Sequence, residues 1–210
     1  MSRIDELLNL AGSFNTLIDV GCDHGYLGIT ALEKTTAKVV FSDISEKCLM
    51  KARQNIPSWL SSRASFVVCD GVPNIDTDVA IIAGMGGLNI IDILKSVKSR
   101  VKKYILQPMK NIDKLREYIY THFEVIYDDI IIDNGRYYTV IVANNMPYNI
   151  KLNDEILYFG AFGQPLSDNK RKFLLYKRNI LKKSIAFNNE SVLQLNCIDR
   201  LLDESQEGNV

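Results

Sequence analysis

The chain has 210 residues, 47% of them apolar and 24% charged, which is enough for one α/β domain with an appendage and excludes a disordered, collagen-like or disulfide-built protein. Its 25 Lys and Arg balance its 25 Asp and Glu, so net charge points to no partner. No apolar run reaches the ~18–20 residues of a membrane span, and Met1 to Glu6 lack the apolar block of a secretory signal, so a cytoplasmic protein is expected.

In chain order, Ile4, Leu7 and Leu8 lie at helical spacing within residues 3–10, and Gly12 ends that helix. Residues 16–20 read as a strand buried on both faces, as a central parallel strand is. The turn Gly21-Cys22-Asp23-His24-Gly25 follows, then a helix from Tyr26 to Lys34 and a second strand over 37–42 that runs into Asp43. Ser45 offers a cap to a helix carrying Leu49, Ala52 and Ile56 as far as Pro57. Ala64 to Val68 form a third strand before Cys69-Asp70-Gly71, and Asp78 to Ala83 a fourth before Gly84-Met85-Gly86-Gly87. Leu88 to Val97 are helical, Lys103 to Leu106 form a fifth strand ending at Gln107-Pro108, and Asn111 to Tyr120 form a helix with Ile112, Leu115 and Ile119 inward.

The pattern then changes. Phe123 to Ile132 and Tyr137 to Ala143 are two strands joined by Asp133-Asn134-Gly135, and Asn-Gly between apolar runs is the strongest short hairpin signal. Asn144 to Lys151, with Pro147, read as a linker, followed by Ile156 to Gly160 and a break at Pro165. Lys170 to Phe187 predict a helix with Phe173, Leu174, Ile180, Leu181 and Ile185 as its stripe. After a turn at Asn188-Asn189, Ser191 to Asp203 predict a second, with Val192, Leu195, Ile198 and Leu202 on one side and a frayed tail over 204–210. The expected fold is α/β and Rossmann-like: a mostly parallel sheet closed by an antiparallel hairpin, as in class I S-adenosylmethionine (SAM) methyltransferases. A C-terminal antiparallel helical (coiled-coil) hairpin is appended. Residues 1–150 are expected to form the cofactor domain and 151–210 the helical one.

Strand, glycine turn, helix, strand and acid is the layout of a nucleotide-cofactor site. A dinucleotide pyrophosphate needs three glycines and bare backbone at a helix N-terminus. Here Gly21 and Gly25 flank Asp23 and His24, and the carboxylate of Asp23 suits a cationic ligand such as SAM. Ligands of open parallel sheets bind at the carboxyl ends of strands. Asp19 there can order the turn or meet an ammonium, Asp43 beside Ile44 can take ribose hydroxyls, Asp70 beside Gly71 an adenine amino group, and Gly84 leaves backbone open. An NAD dehydrogenase is the competing reading of Asp43, opposed by Asp23 and by the terminal hairpin. Cys22, Cys48, Cys69 and Cys197 show no paired spacing, so neither disulfides nor a metal site is expected. Residues 151–187 hold eight bases against three acids, a candidate anion-binding face.

Four segments, Asp19-Val-Gly-Cys-Asp-His-Gly-Tyr26, Cys69-Asp-Gly71, Ile82-Ala-Gly-Met-Gly-Gly-Leu88 and Ile105-Leu-Gln-Pro108, together resemble the bacterial tRNA adenine-22 N1-methyltransferase family, TrmK. Asp133-Asn-Gly-Arg-Tyr-Tyr138 and Leu157-Tyr-Phe-Gly160 add support. Met109 stands where that family usually has Asn, and Gly25 where it often has Ala. The resemblance implies methyl transfer from SAM to N1 of a flipped-out adenine in tRNA. In that reading Asp23, His24 and Tyr26 lie at the reacting base, and Gln107 and Pro108 hold it. Lys170, Arg171, Lys172, Lys177 and Arg178 meet tRNA phosphates. No membrane and no obligate protein partner is implied. A SAM enzyme for another substrate and a catalytically silent RNA-binding module are the alternatives.

Overall fold

In the computed structural model, which describes residues 2–148, 150–161, 166–183 and 189–207, seven strands form a single sheet. The strands are β1 (Thr16–Val20), β2 (Lys38–Asp43), β3 (Ala64–Val68), β4 (Thr77–Gly86), β5 (Val101–Lys110), β6 (Glu124–Asp133) and β7 (Arg136–Asn144). Their order is β3-β2-β1-β4-β5-β7-β6, and only β7 runs against the rest. This is the mostly parallel sheet with a reversed hairpin that the sequence predicts. The strand order reverses at β1, where Val20 pairs with Ser42 of β2 on one side and Ile82 of β4 on the other.

Alternate strand residues enter two cores, because successive side chains of a strand point to opposite faces. Leu17, Val79 and Ile81 pack with α1 (Arg3–Ala11), α2 (Tyr26–Lys34) and α3 (Glu46–Asn55). Ile18, Ala80 and Ile82 pack with α4 (Gly87–Ser96) and α5 (Ile112–His122). Ser45 caps α3 as its position predicts, its hydroxyl accepting from Cys48 N. A 3₁₀ turn over Ser58–Arg63, which no periodicity signals, precedes β3. The hairpin closes tightly: Asp133 and Arg136 are the last pair, and Asn134 and Gly135 both take positive φ (48° and 72°). That is the geometry of a type I′ turn, which favours Asn-Gly.

β4 and β5 run further than expected, through Met85↔Pro108 and Gly86↔Lys110 with a bulge after Ala83. The β5–β7 ladder stops at Leu106↔Ile141, so Pro108 needs no N–H on that side.

The C-terminal segment holds α6 (Asp154–Phe159), α7 (Asp168–Lys183) and α8 (Asn189–Glu207) around Phe159, Leu174, Leu181, Ile198 and Leu202. α7 and α8 pack together, and Arg178 pairs with Asp199 across them at 3.3 Å. Two residues placed in the apolar stripes are corrected. Ile180 and Val192 are exposed, because the buried faces follow Leu174 and Leu181 on α7 and Cys197, Ile198, Leu201 and Leu202 on α8. Pro165, Ile185, Phe187 and Asn188 lie outside the described residues.

A buried polar cluster joins α7 to the sheet. Arg116 of α5 grips Asp128 of β6 with two N–H donors, each at 2.8 Å, and donates a third bond to the Tyr158 carbonyl. Tyr120 also donates to Asp128. Lys170 is 2% exposed and its Nζ donates to the Asp128 carbonyl at 3.2 Å. Burial pushes its ammonium down to about 8, with the nearby Asp128 carboxylate acting the other way. Lys170 is therefore a core residue, and its assignment as a phosphate contact is corrected.

Candidate active site

At the carboxyl ends of the strands a cavity of about 700 Å³ opens between the β1, β2 and β3 ends and α4, a size usual for a small-molecule site. Gly21, Asp43, Ile44, Asp70 and Gly71 line it, so five of the predicted cofactor residues come together there. Gly21 takes φ 68°, in the left-handed region that favours glycine, and the Met85 methyl lies over its Cβ position. Asp43 is aimed by two backbone donors: Ser45 N–H reaches Oδ1 at 2.8 Å and Asp23 N–H reaches Oδ2 at 3.1 Å. A fixed carboxylate with lone pairs to spare, beside a bare glycine turn, fits a ribose diol.

The other three predicted cofactor residues lie elsewhere. Gly25 is the buried N-cap of α2, with Ala52 and Phe41 against its Cβ position. Gly84 is exposed on β4, and its neighbour Met85 lines the cavity instead. Asp19 is buried behind the turn, its Oδ2 accepting from Gly28 N–H at 2.9 Å, so it ties α2 to β1 and orders the turn rather than facing a ligand's ammonium. Burial raises the Asp19 carboxyl to about 7, the Gly28 donor opposes that, and the Asp43 carboxylate adds to it. An acid whose folded value exceeds its unfolded value keeps its proton in the fold while the unfolded chain loses it, so stability falls as pH rises from about 4 to about 7. Asp19→Asn, which can still accept from Gly28, is expected to remove that loss. Its melting temperature relative to the parent should climb across this pH range, and a flat difference would contradict the buried-acid role.

Sequence reasoning missed the fourth wall. Asn89, Asp92, Ile93 and Ser96 of α4 line the cavity, and their spacing is one helix face. Burial pushes the thiols of Cys22 and Cys69 up, which disfavours their thiolates. Among the described residues no His, Cys, Asp or Glu cluster could hold a metal, and no helix is long and apolar enough to cross a membrane.

Asp23, His24 and Tyr26 form one surface cluster on the turn beside the cavity. Asp23 has φ 47°, its side chain is 66% exposed, and its Oδ2 lies 3.8 Å from His24 Nε2. It does not cap α2. The His24 ring stacks on Tyr26, centroids 5.7 Å apart and planes 7° apart, and leaves Tyr26 63% exposed. Gln107 is fully buried. Its Oε1 accepts from Arg3 and its Nε2 donates to the Pro108 carbonyl, so its assignment as a reader of the substrate base is corrected. Met109 and Lys110 are the exposed residues at that strand end.

A switch-point cavity with an aimed acid after β2, on a sheet whose penultimate strand is reversed, defines a transferase of the class I methyltransferase type. Comparison with known proteins agrees. A family model described as a methyltransferase domain matches residues 1–141. A putative tRNA methyltransferase of Mycoplasma genitalium is 30% identical over 168 residues, covering 75% of this chain and 76% of that one. The tRNA (adenine(22)-N(1))-methyltransferase of Bacillus subtilis is 31% identical over 136 residues, 60% of this chain and 57% of that one. The crystal structure of a putative tRNA (m1A22) methyltransferase from Streptococcus pneumoniae superposes with a TM-score of 0.83 at 24% identity, covering 96% of this chain and 99% of that one. The chain belongs to the methyltransferase-domain family, and within it to the family of the putative bacterial tRNA methyltransferase it matches.

Proposed function

We propose that this protein is a cytoplasmic enzyme that methylates N1 of adenine 22 in tRNA with SAM as donor. Residues 1–150 hold the cofactor and 151–210 contact the tRNA. The observation that carries the reading is the Asp43 carboxylate, pinned by two backbone N–H groups where it lines the cavity beside Gly21. SAM, when bound, supplies an electrophilic methyl group on a sulfonium. Asp43 takes its ribose hydroxyls, Asp70 its adenine amino group, and Gly21 offers bare backbone alongside.

The base must leave its stack for its Watson–Crick edge to be reached. Tyr26, exposed and stiffened by the stacked His24 ring, is the surface on which it lies. N1 of adenine attacks with an in-plane lone pair and has no proton to lose, so the chain needs no general base. Its work is positioning. The product base is cationic, and the exposed Asp23 carboxylate supplies the opposing charge.

On α7, Lys172 and Lys177 remain as phosphate contacts beside Arg171, whereas Arg178 is paired with Asp199. Changing Lys172 and Lys177 together to Ala is expected to weaken tRNA binding and to reduce the slope of log affinity against log salt by about 2, about 1 per contact. SAM affinity should stay put; a fall in SAM affinity would make this helix face structural. The reading as a whole is tested by incubating the enzyme with SAM and unmodified tRNA and mapping the product by reverse transcription, which N1-methyladenine blocks. A stop one nucleotide 3′ of adenine 22 is expected, and full-length product alone rejects it.

A further inference from the structure

Beyond the last rung of the β5–β7 ladder, Leu106↔Ile141, the two strands part at the carboxyl edge of the sheet. Arg3 sits in the split. Its Nη1 donates to Gln107 Oε1 of β5 at 3.1 Å, and its guanidinium carbon lies 4.8 Å from the centre of the Tyr138 ring of β7. The next residue of β5, Pro108, pairs with Met85, which lines the cofactor cavity. We propose that Arg3 binds the phosphate beside the nucleotide presented for methylation, an inference that rests on the tRNA reading above.

Three observations carry it. The charge is uncompensated: among the described residues no carboxylate forms an ion pair with Arg3, and both its partners are neutral. Second, the side chain is held ready. Ser2 and Asp5 close a capping box that fixes the chain start, and Asp5 is itself paired with Lys34. The buried Gln107 amide and the Tyr138 ring then aim the guanidinium while occupying one of its five N–H donors, so a two-pronged grip on a phosphate stays available. Third, the sign of the charge selects the group. The methylated base is cationic and a guanidinium repels it, whereas a backbone phosphate is the anion nearest any extruded base. Gln107 thus serves as the anchor of Arg3.

The test compares Arg3→Gln and Arg3→Lys with the parent in methyl transfer to a tRNA transcript at several salt concentrations, with SAM affinity and melting temperature measured in parallel. Arg3→Gln is expected to raise KM for tRNA about tenfold with kcat within about twofold, and to reduce the salt slope of log KM by about 1. Arg3→Lys keeps the charge and should restore the slope. SAM affinity should match the parent in both. An unchanged KM and slope in Arg3→Gln, or a loss of SAM affinity in step with KM, overturns the proposal. If Arg3→Gln does not fold, Arg3→Lys decides: a raised KM at unchanged slope and SAM affinity supports it, and parental kinetics or a loss of SAM affinity overturns it. A parent enzyme that transfers no methyl to tRNA instead rejects the underlying reading.

Discussion

Asp128→Ala is expected to destabilise the protein by ~3–5 kcal/mol, the usual cost of stranding one member of a buried ion pair. Arg116 and Asp128 have side chains 2% and 0% exposed, and the substitution leaves a guanidinium facing a void with two donors unanswered. The Tyr120 hydroxyl loses its acceptor as well. For a domain of this size each kcal/mol shifts the melting temperature by roughly 2–4 °C, so a fall of at least ~6 °C should be seen. The loss should concentrate where the C-terminal helices meet the sheet, because Arg116 also holds the Tyr158 carbonyl ahead of α7. Replacing the pair by Arg116→Met with Asp128→Leu should recover much of it. A shift below about 2 °C for Asp128→Ala would mean that the cluster is open to water.

Asp43→Ala is expected to weaken SAM binding by 100-fold or more. A carboxylate facing a ribose diol offers two charge-assisted hydrogen bonds, each worth ~1.5–3 kcal/mol. The side chain also organises the turn, since Ser45 N–H and Asp23 N–H both donate to it. Asp43→Asn keeps one acceptor and should fall between the two. Calorimetric titration with SAM reads the effect, and melting temperature separates it from unfolding. A change under about fivefold in Asp43→Ala would remove Asp43 from the cofactor site.

The sheet was legible because parallel strands buried on both faces leave unbroken apolar runs, as in Val39 to Phe41 and Val79 to Ile82. Asn134-Gly135 announced the hairpin through its own backbone preference. Asp43, Asp70 and Gly21 were legible because they follow those runs, where an open sheet puts its ligands. What failed depends on contacts distant in sequence. Lys170 looks like its neighbours in a basic stretch, and its burial against the Asp128 carbonyl, 42 positions away, makes it a core residue. Gln107 resembles a base reader until Arg3, 104 positions away, occupies its amide oxygen. Asn89, Asp92, Ile93 and Ser96 share a helix face that periodicity could have shown, but nothing in one dimension says what that face borders.

The central claim is best tested by labelled methyl transfer from SAM to two unmodified tRNA transcripts that differ only at position 22, one with adenine and one with guanine. Label on the adenine transcript and none on the guanine transcript is the expected result. Equal label on both, or none on either from enzyme that binds SAM, contradicts it.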